Sequence, residues 1–171
     1  MSIRMNTQDS VQIRPATLND APAIAQIYNS EIAGSTTTLD MVERTLDDQV
    51  AWISEHGGIY PAVVCELDGV VVGFGALSPF RNRPGYSGTV EDSVYVAAGT
   101  RRGGVGLAIL NELIRLASSH GFHSILALIG GGGEPSIRLH LRAGFRQVGV
   151  LEQIGRKHGK WVDVTVMELL V

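Results

Sequence analysis

Cysteine is nearly absent from this 171-residue chain. Cys65 stands alone, so no intramolecular disulfide and no cysteine-based zinc site can form, which suits a reducing compartment and predicts a cytoplasmic protein. It lies in the apolar run PAVVCEL (61–67) and reads as an inert core thiol rather than a nucleophile. Lysine is scarce too: Lys157 and Lys160 are the only two of 14 basic residues, the rest being arginines. Set against 17 acidic residues these leave a formal charge of -3, and aromatics make up only 6% of the chain. That combination argues against a nucleic-acid surface, which needs a basic patch or a stacking platform, and against a lipid-headgroup surface. Long apolar runs are missing as well. Nothing approaches the roughly 18 residues of a spanning helix, and the first ten residues, MSIRMNTQDS, are too polar for a signal peptide or an anchor. They predict a flexible tail over 1–10.

Glycine is what the chain has in excess: 21 of 171 residues, well above the usual ~7%. There is no G-X-Y repeat, which excludes collagen, and 44% apolar residues exclude a disordered chain. At this length a single domain over 11–171 can bury a real core.

The pattern along the chain predicts a strand at 11–16, then a capping signature at Thr17 to Asp20 with Pro22 in the first helical turn. The helix that follows places Ile24, Ile27, Tyr28 and Glu31 on one side. A hydroxyl-rich loop (34–40) leads to a second helix over about 45–56, with Leu46, Val50 and Ile53 as its buried stripe, stopped by Gly57-Gly58. Two β-rich runs, 61–67 and 70–78, flank Asp68-Gly69, a pair that favours a tight hairpin turn. After an arginine-bearing loop (78–85), residues 86–96 predict a strand with Val90, Val94 and Val96 on one face and Thr89, Glu91, Ser93 and Tyr95 on the other. An amphipathic helix over 105–120, a wholly apolar central strand (124–129), a tetraglycine (130–133), a helix over 135–143 and strands at 145–154 and 161–171 complete the order. The expected fold is α/β to α+β, a mixed and mostly antiparallel sheet flanked by helices. No linker or repeat divides it.

Between the strand ending at Val96 and the helix opening at Val105 lies Arg101-Arg102-Gly103-Gly104-Val105-Gly106. Glycines there let successive N–H groups turn outward into an anion nest at the positive end of a helix, and the arginines add charge that a diphosphate would use. The segment lacks the G-K-[S/T] of a Walker A loop, and Ile109 occupies the third glycine position of G-x-G-x-x-G. On residues alone it is either a phosphate cradle or an exposed basic turn.

The spacing Arg101, Gly104, Gly106 matches R/Q-x-x-G-x-G/A and resembles the acetyl-coenzyme A loop of GNAT acetyltransferases. Further matches are similar to the branch that acetylates phosphinothricin and methionine sulfoximine. They are IRPAT (13–17), IYN (27–29), ST (35–36), YP (60–61), TVEDSVYV (89–96), PSIRLH (135–140), AGF (143–145) and IGRKHGKWVDV (154–164). Together they span residues 13 to 164. The resemblance implies a single-domain GNAT fold and an acetyl-CoA-dependent N-acetyltransferase, cytoplasmic and homodimeric, with no metal. It implies coenzyme contacts from Val94, Tyr95, Val96, Arg101, Arg102, Gly103, Gly104, Val105, Gly106, Gly133 and Ser136.

Glu91 stands mid-strand among apolar and hydroxylic neighbours, a costly place for a carboxylate unless it is paired or used. An amine must reach a thioester unprotonated, and partial burial moves a carboxylate toward the range where it can take that proton. In the resembling family the matching glutamate is the proposed general base. The alternative is an ion pair with Arg81 or Arg83 that positions the loop. A lone His140 is an ordinary hydrogen-bonded residue. The resemblance makes it a participant, protonating the departing thiolate or assisting the base.

Arg81 and Arg83 suit an acceptor with acidic groups beside its amine, since arginine forks fit carboxylates and phosphinates. By resemblance Arg81, Arg83, Tyr86, Ser93, Tyr95, His140 and Val164 are substrate-side positions, and Leu39 falls where true phosphinothricin enzymes carry phenylalanine. The segment 156–161 reads as a solvated hairpin turn with Trp161 packed beneath it. One departure is Gly133, where the family has asparagine. Its absence implies weaker coenzyme binding or a looser turn. The chemistry expected is direct acetyl transfer to the α-amino group of a small amino acid analogue such as phosphinothricin, methionine sulfoximine or methionine sulfone. Acetylation of another amine, or a non-catalytic acetyl-CoA sensor, are the alternatives.

Overall fold

A computed structural model describes residues 11–101 and 103–171. The expected tail (1–10) and Arg102 lie outside the described residues. The chain opens with β1 (Val11–Pro15). One 3-10 turn, Leu18–Asp20, leads into α1 (Ala21–Gly34). The Thr17 N–H donates to the Asp20 carboxylate at 2.7 Å, and Pro22 stands in the first turn, where its missing N–H leaves no helical bond unmade. Ile24, Ile27, Tyr28 and Glu31 are buried together as their spacing predicts.

In α2 (Leu46–Glu55) the expected stripe holds only at its end. Ile53 is buried and Val50 half-buried, but Leu46 is 52% exposed, and Gln49 is wholly enclosed in its place. Gln49 is one helical turn before Ile53 and shares its face, with its Oε1 accepting from Arg44 at 3.3 Å. Leu46, in the first turn, projects past that contact.

Next come β2 (Ala62–Leu67) and β3 (Val70–Pro79), joined by Asp68-Gly69 at φ +50° and +79°. Then follows β4 (Thr89–Val96). The strand expected from residue 86 begins three residues later because Pro84–Tyr86 form a 3-10 turn. The rest is α3 (Val105–Ser119), β5 (Ser124–Gly130), α4 (Glu134–Arg142), β6 (Arg146–Lys157) and β7 (Lys160–Leu170). His158-Gly159, both at positive φ, make the last hairpin turn.

The sheet order is β1-β2-β3-β4-β5-β7-β6, antiparallel at every junction except β4–β5. This is the mixed, mostly antiparallel architecture expected from the pattern. One face packs on α3 through Val63, Cys65, Leu77, Val90, Ile109 and Leu113. The other packs on α1 and α2 through Val64, Phe74, Tyr28 and Ile53. Cys65 is fully buried, and burial pushes its thiol up, away from reactivity.

The β4–β5 junction positions the site. Its parallel register covers Thr89↔Ser124, Val90↔Ile125 and Glu91↔Leu126 and goes no further. Beyond those three pairs the strands part, while β5 stays paired to β7 along its whole length. The sheet therefore carries a wedge-shaped opening, bounded by 92–96 on one side and 127–130 on the other.

Candidate active site

Alternation along β4 sends its residues to two chemically different faces. Glu91, Ser93 and Tyr95 face α1 and α2. Tyr95 stacks on Phe74 (centroids 5.2 Å apart) and meets Tyr28 edge-on at 5.0 Å. Glu91 is half-buried, and its carboxyl is pushed above the usual carboxylate range. Burial is the largest cause; the nearby Asp92 charge adds to it, and Arg81 opposes it. No salt bridge joins Glu91 to Arg81 or Arg83 among the described residues.

Val90, Asp92, Val94 and Val96 take the other face. Asp92 is the member that sequence reasoning missed, although its parity with the three valines was the available signal. It is 6% exposed, and its Oδ2 lies 3.0 Å from Nε2 of His140, itself 3% exposed on α4. The other ring nitrogen, Nδ1, is 2.8 Å from the Ser136 carbonyl and 3.4 Å from the Ser136 hydroxyl. Burial disfavours the charged imidazole, but Asp92 and the Ser136 carbonyl outweigh it, and its proton affinity is raised. Both ring nitrogens are therefore engaged within the fold, one by Asp92 and the other by Ser136.

The open edge of β4 offers hydrogen-bond donors. The Ala97 N–H donates back to β3, to the Val72 carbonyl at 2.8 Å. The Val96 carbonyl instead accepts from Arg101 Nε at 3.1 Å. Val96 therefore directs its N–H and C=O away from β3, and by the two-residue period Val94 does the same. Both amides border the opening.

At the far end of that edge, Gly104 caps α3 at φ +80°, and no side chain caps the helix. The first N–H groups of a 15-residue helix are thus left for an anion. A glycine N-cap, open space around it and an uncapped helix start fit the diphosphate of a coenzyme. Gly106 is different: a Cβ there would meet Leu139 at 3.3 Å and Val96 at 3.6 Å, so it seats α3 against α4 and β4. Arg101 stands beside this helix start with a partner that its sequence neighbourhood does not show. Its guanidinium is paired with the buried Glu31 of α1, which also accepts from Ser35 and Thr37. Arg101 is thus tied to α1 while remaining half-exposed beside the free helix start.

The loop with Arg81, Arg83 and Tyr86 lies at the opposite end of β4, beside Glu91. Arg81 and Arg83 line an open groove with Tyr60, Pro84 and Ser87. Tyr86 packs edge-on against Phe80. A second groove, between Thr36, Gly131, Trp161 and Asp163, flanks the tip of β5. Val164 is buried there, in register with Gly130 and Leu151. Glu91 lines neither groove.

The hairpin turn at 158–159 is as expected, but its burial is inverted. Trp161 is 61% exposed, while Lys157 is 1% exposed with Nζ donating to the Thr38 carbonyl at 2.8 Å. Burial lowers the proton affinity of that amine, and the Asp40 charge partly restores it. Asp40 and Thr38 also bond the Tyr28 hydroxyl, and Leu39 sits directly on Gly155. Loop 35–40 is thereby tied to α1, to β6 and, through Thr36 Oγ1 to the Gly131 carbonyl at 2.5 Å, to the tetraglycine. At Gly133 a Cβ would overlap the Ile129 side chain and lie 2.9 Å from the Gly130 carbonyl oxygen, so the backbone packs closely at that point of the turn. Among the described residues no group of three or more His, Cys, Asp or Glu is placed to hold a metal. No helix among them is long and apolar enough to cross a membrane.

Residues 22–145 match the Acetyltransferase (GNAT) family. The chain is 36% identical over 162 residues to L-methionine sulfoximine/L-methionine sulfone acetyltransferase of Pseudomonas paraeruginosa, covering 94% of each. It is also 36% identical over 154 residues to phosphinothricin N-acetyltransferase of Streptomyces viridochromogenes, covering 90% of this chain and 84% of that one. Its structure superposes with a TM-score of 0.91 on the phosphinothricin acetyltransferase of Sinorhizobium meliloti in complex with AcCoA. That protein is 33% identical, and the match covers 94% of this chain and 88% of the other.

Proposed function

Because the chain belongs to the GNAT family and is an acetyl-CoA-dependent N-acetyltransferase, we propose that it acetylates the α-amino group of a small amino acid analogue. Phosphinothricin, methionine sulfoximine and methionine sulfone are the acceptors proposed, as the names of its relatives suggest. The observation that carries this reading is Glu91, a half-buried carboxylate with raised proton affinity on the α1/α2 face of β4, three residues before the first open-edge amide.

Acetyl-CoA supplies the thioester, and the chain's own groups do the rest. Glu91 takes the ammonium proton of the acceptor, directly or through one water, so that the neutral amine attacks. The Val94 and Val96 amides stand where a carbonyl oxygen gaining negative charge would be held. The uncapped start of α3 takes the diphosphate, with Ser136 and Gly133 on the opposite wall of the opening. Arg81 and Arg83 face the acidic end of the acceptor, and Ser93, Tyr95, Tyr86 and Val164 shape its surroundings. His140 acts indirectly, through β4.

Glu91 accepts a proton only when ionised. Activity therefore rises with pH through a midpoint above the ordinary glutamate value of about 4.3 and is lost below it. The test is thiol release from acetyl-CoA against the three analogues, ordinary amino acids and polyamines. Turnover on the analogues should fall roughly 100-fold or more in Glu91→Gln. Undiminished turnover in that variant would remove Glu91 from the role of base. Binding of acetyl-CoA without thiol release on any amine would make the protein a sensor.

The same reading makes the protein a cytoplasmic homodimer. Its support is the outer strand β6, where Val148, Val150, Leu151 and Ile154 are each 44–58% exposed. Sedimentation at micromolar concentration should give twice the chain mass, and a monomer there would sink the dimer.

A further inference from the structure

Glu31 has no part in the steps above, yet it is a buried carboxylate in the last turn of α1. Nothing about its location favours a charge. It is removed from water and stands at the negative end of a helix, where the Ser35 N–H already closes onto its carbonyl at 3.1 Å. A carboxylate persists in such a place only with donors on its oxygens. The fold brings them from two directions.

Oε1 is paired with the Arg101 guanidinium, 70 residues further along the chain. Oε2 accepts from the Ser35 hydroxyl at 3.0 Å and from the Thr37 hydroxyl at 3.2 Å, and those two hydroxyls lie 2.7 Å apart. The Arg101 side leads to the coenzyme end of the opening. Its Nε donates to the Val96 carbonyl on the open edge of β4 at 3.1 Å, and the residue precedes the Gly104 cap by three positions. A guanidinium carries five N–H donors. Nε and one on Nη2 are engaged among the described residues, and the others belong to a side chain that is 51% exposed. A diphosphate at the start of α3 can therefore take them without displacing Glu31.

The hydroxyl side leads to the acceptor. Between Ser35 and Thr37, Thr36 bonds the Gly131 carbonyl and lines the groove with Trp161 and Asp163. One residue on, the Thr38 hydroxyl is 3.3 Å from that of Tyr28, whose ring meets Tyr95 edge-on.

We infer that Glu31 is a positioning residue for acetyl transfer: one carboxylate oxygen clamps Arg101 and the other clamps loop 35–40, so that seating the coenzyme orders the wall against which the acceptor binds. The inference rests on the reading given above, in which the start of α3 takes the diphosphate and the opening takes the acceptor. A diphosphate on the remaining donors fixes the guanidinium between two anions. What fixes the guanidinium also fixes Glu31 and the two hydroxyls it holds. The acceptor then meets a loop whose ordering cost has already been met. By linkage, the acceptor tightens coenzyme binding by the same factor.

The test is calorimetric titration of methionine sulfone with and without saturating coenzyme A, which carries the diphosphate but no acetyl group. In the unaltered protein the acceptor should bind at least about 5-fold more tightly when the coenzyme is present. Thr37→Val deletes one hydroxyl and keeps the shape. It should bring the factor toward unity and raise the KM for the acceptor, with kcat little changed. Thr37→Ser retains the hydroxyl and must retain the factor. Glu31→Gln, which loses the charge that holds Arg101, should behave as Thr37→Val does. A Glu31 with a purely structural role would lower Tm in that variant and leave the factor in place, which overturns the proposal. So does a factor of unity in the unaltered protein, or equal factors in Thr37→Val and Thr37→Ser. Should Glu31→Gln fail to fold, the Thr37 pair decides alone. Methionine sulfone that binds in neither condition would instead defeat the acceptor reading, a result separate from any change in the factor.

Discussion

Two glycine-rich segments flank the opening in the sheet, and they use glycine for opposite reasons. At 103–106 the turn is empty around its cap. Gly104 sits at φ +80° with nothing within 4 Å of a would-be Cβ. At 130–133 the turn is full. A Cβ on Gly130 would overlap the Thr36 carbonyl oxygen and lie 2.9 Å from that of Thr37. At Gly104 glycine supplies a backbone angle and leaves room for a ligand; at Gly130 it lets two backbones touch. Composition counts the two alike, but their response to a methyl group should separate them.

The largest effect expected is from Gly130→Ala, because the obstacle is backbone and cannot rotate away. Overpacking of this kind costs about 3 kcal/mol at its upper end, which for a chain of this size lowers Tm by roughly 6–12 °C. Thermal unfolding measures it, and an unchanged Tm would mean that loop 35–40 yields freely. Gly104→Ala should cost less stability, about 1 kcal/mol for the left-handed backbone. Its methyl group intrudes on the free helix start, so the KM for acetyl-CoA should rise about 10-fold. A rise without loss of Tm would sharpen the contrast; a fall in Tm with KM unchanged would erase it. Gly99→Ala, where a Cβ meets nothing and φ is ordinary, should stay within about 0.5 kcal/mol of the parent and serves as the control.

Local rules made much of the fold legible. The Thr17–Asp20 capping signature, the Asp68-Gly69 hairpin and the alternation of β4 all depend on residues within a turn of each other. Longer connections were not legible. Asp92 and His140 are 48 residues apart, and only the fold decides that α4 docks against that point of β4. Arg101 looked free because its partner, Glu31, lies 70 residues earlier. Gln49 replaced Leu46 in the core because helix docking, not hydrophobicity, chose which part of the stripe would be covered. Trp161 and Lys157 exchanged their expected places because the hairpin packs its lysine, not its tryptophan, against loop 35–40. In the candidate site, Glu91 and the glycine cap stood out by residue type. The parting of β4 from β5 is a property of the sheet and leaves no mark in either strand.

The burial of Lys157 has a consequence for the protein's own chemistry. An enzyme that makes amines react with a thioester exposes its own side-chain amines to the same fate. This chain carries two. Lys157, whose lowered proton affinity would make it the more reactive, is sealed from solvent with its amine bonded to a carbonyl. Lys160 is the single lysine amine that solvent reaches, so side-chain self-acylation has one available target.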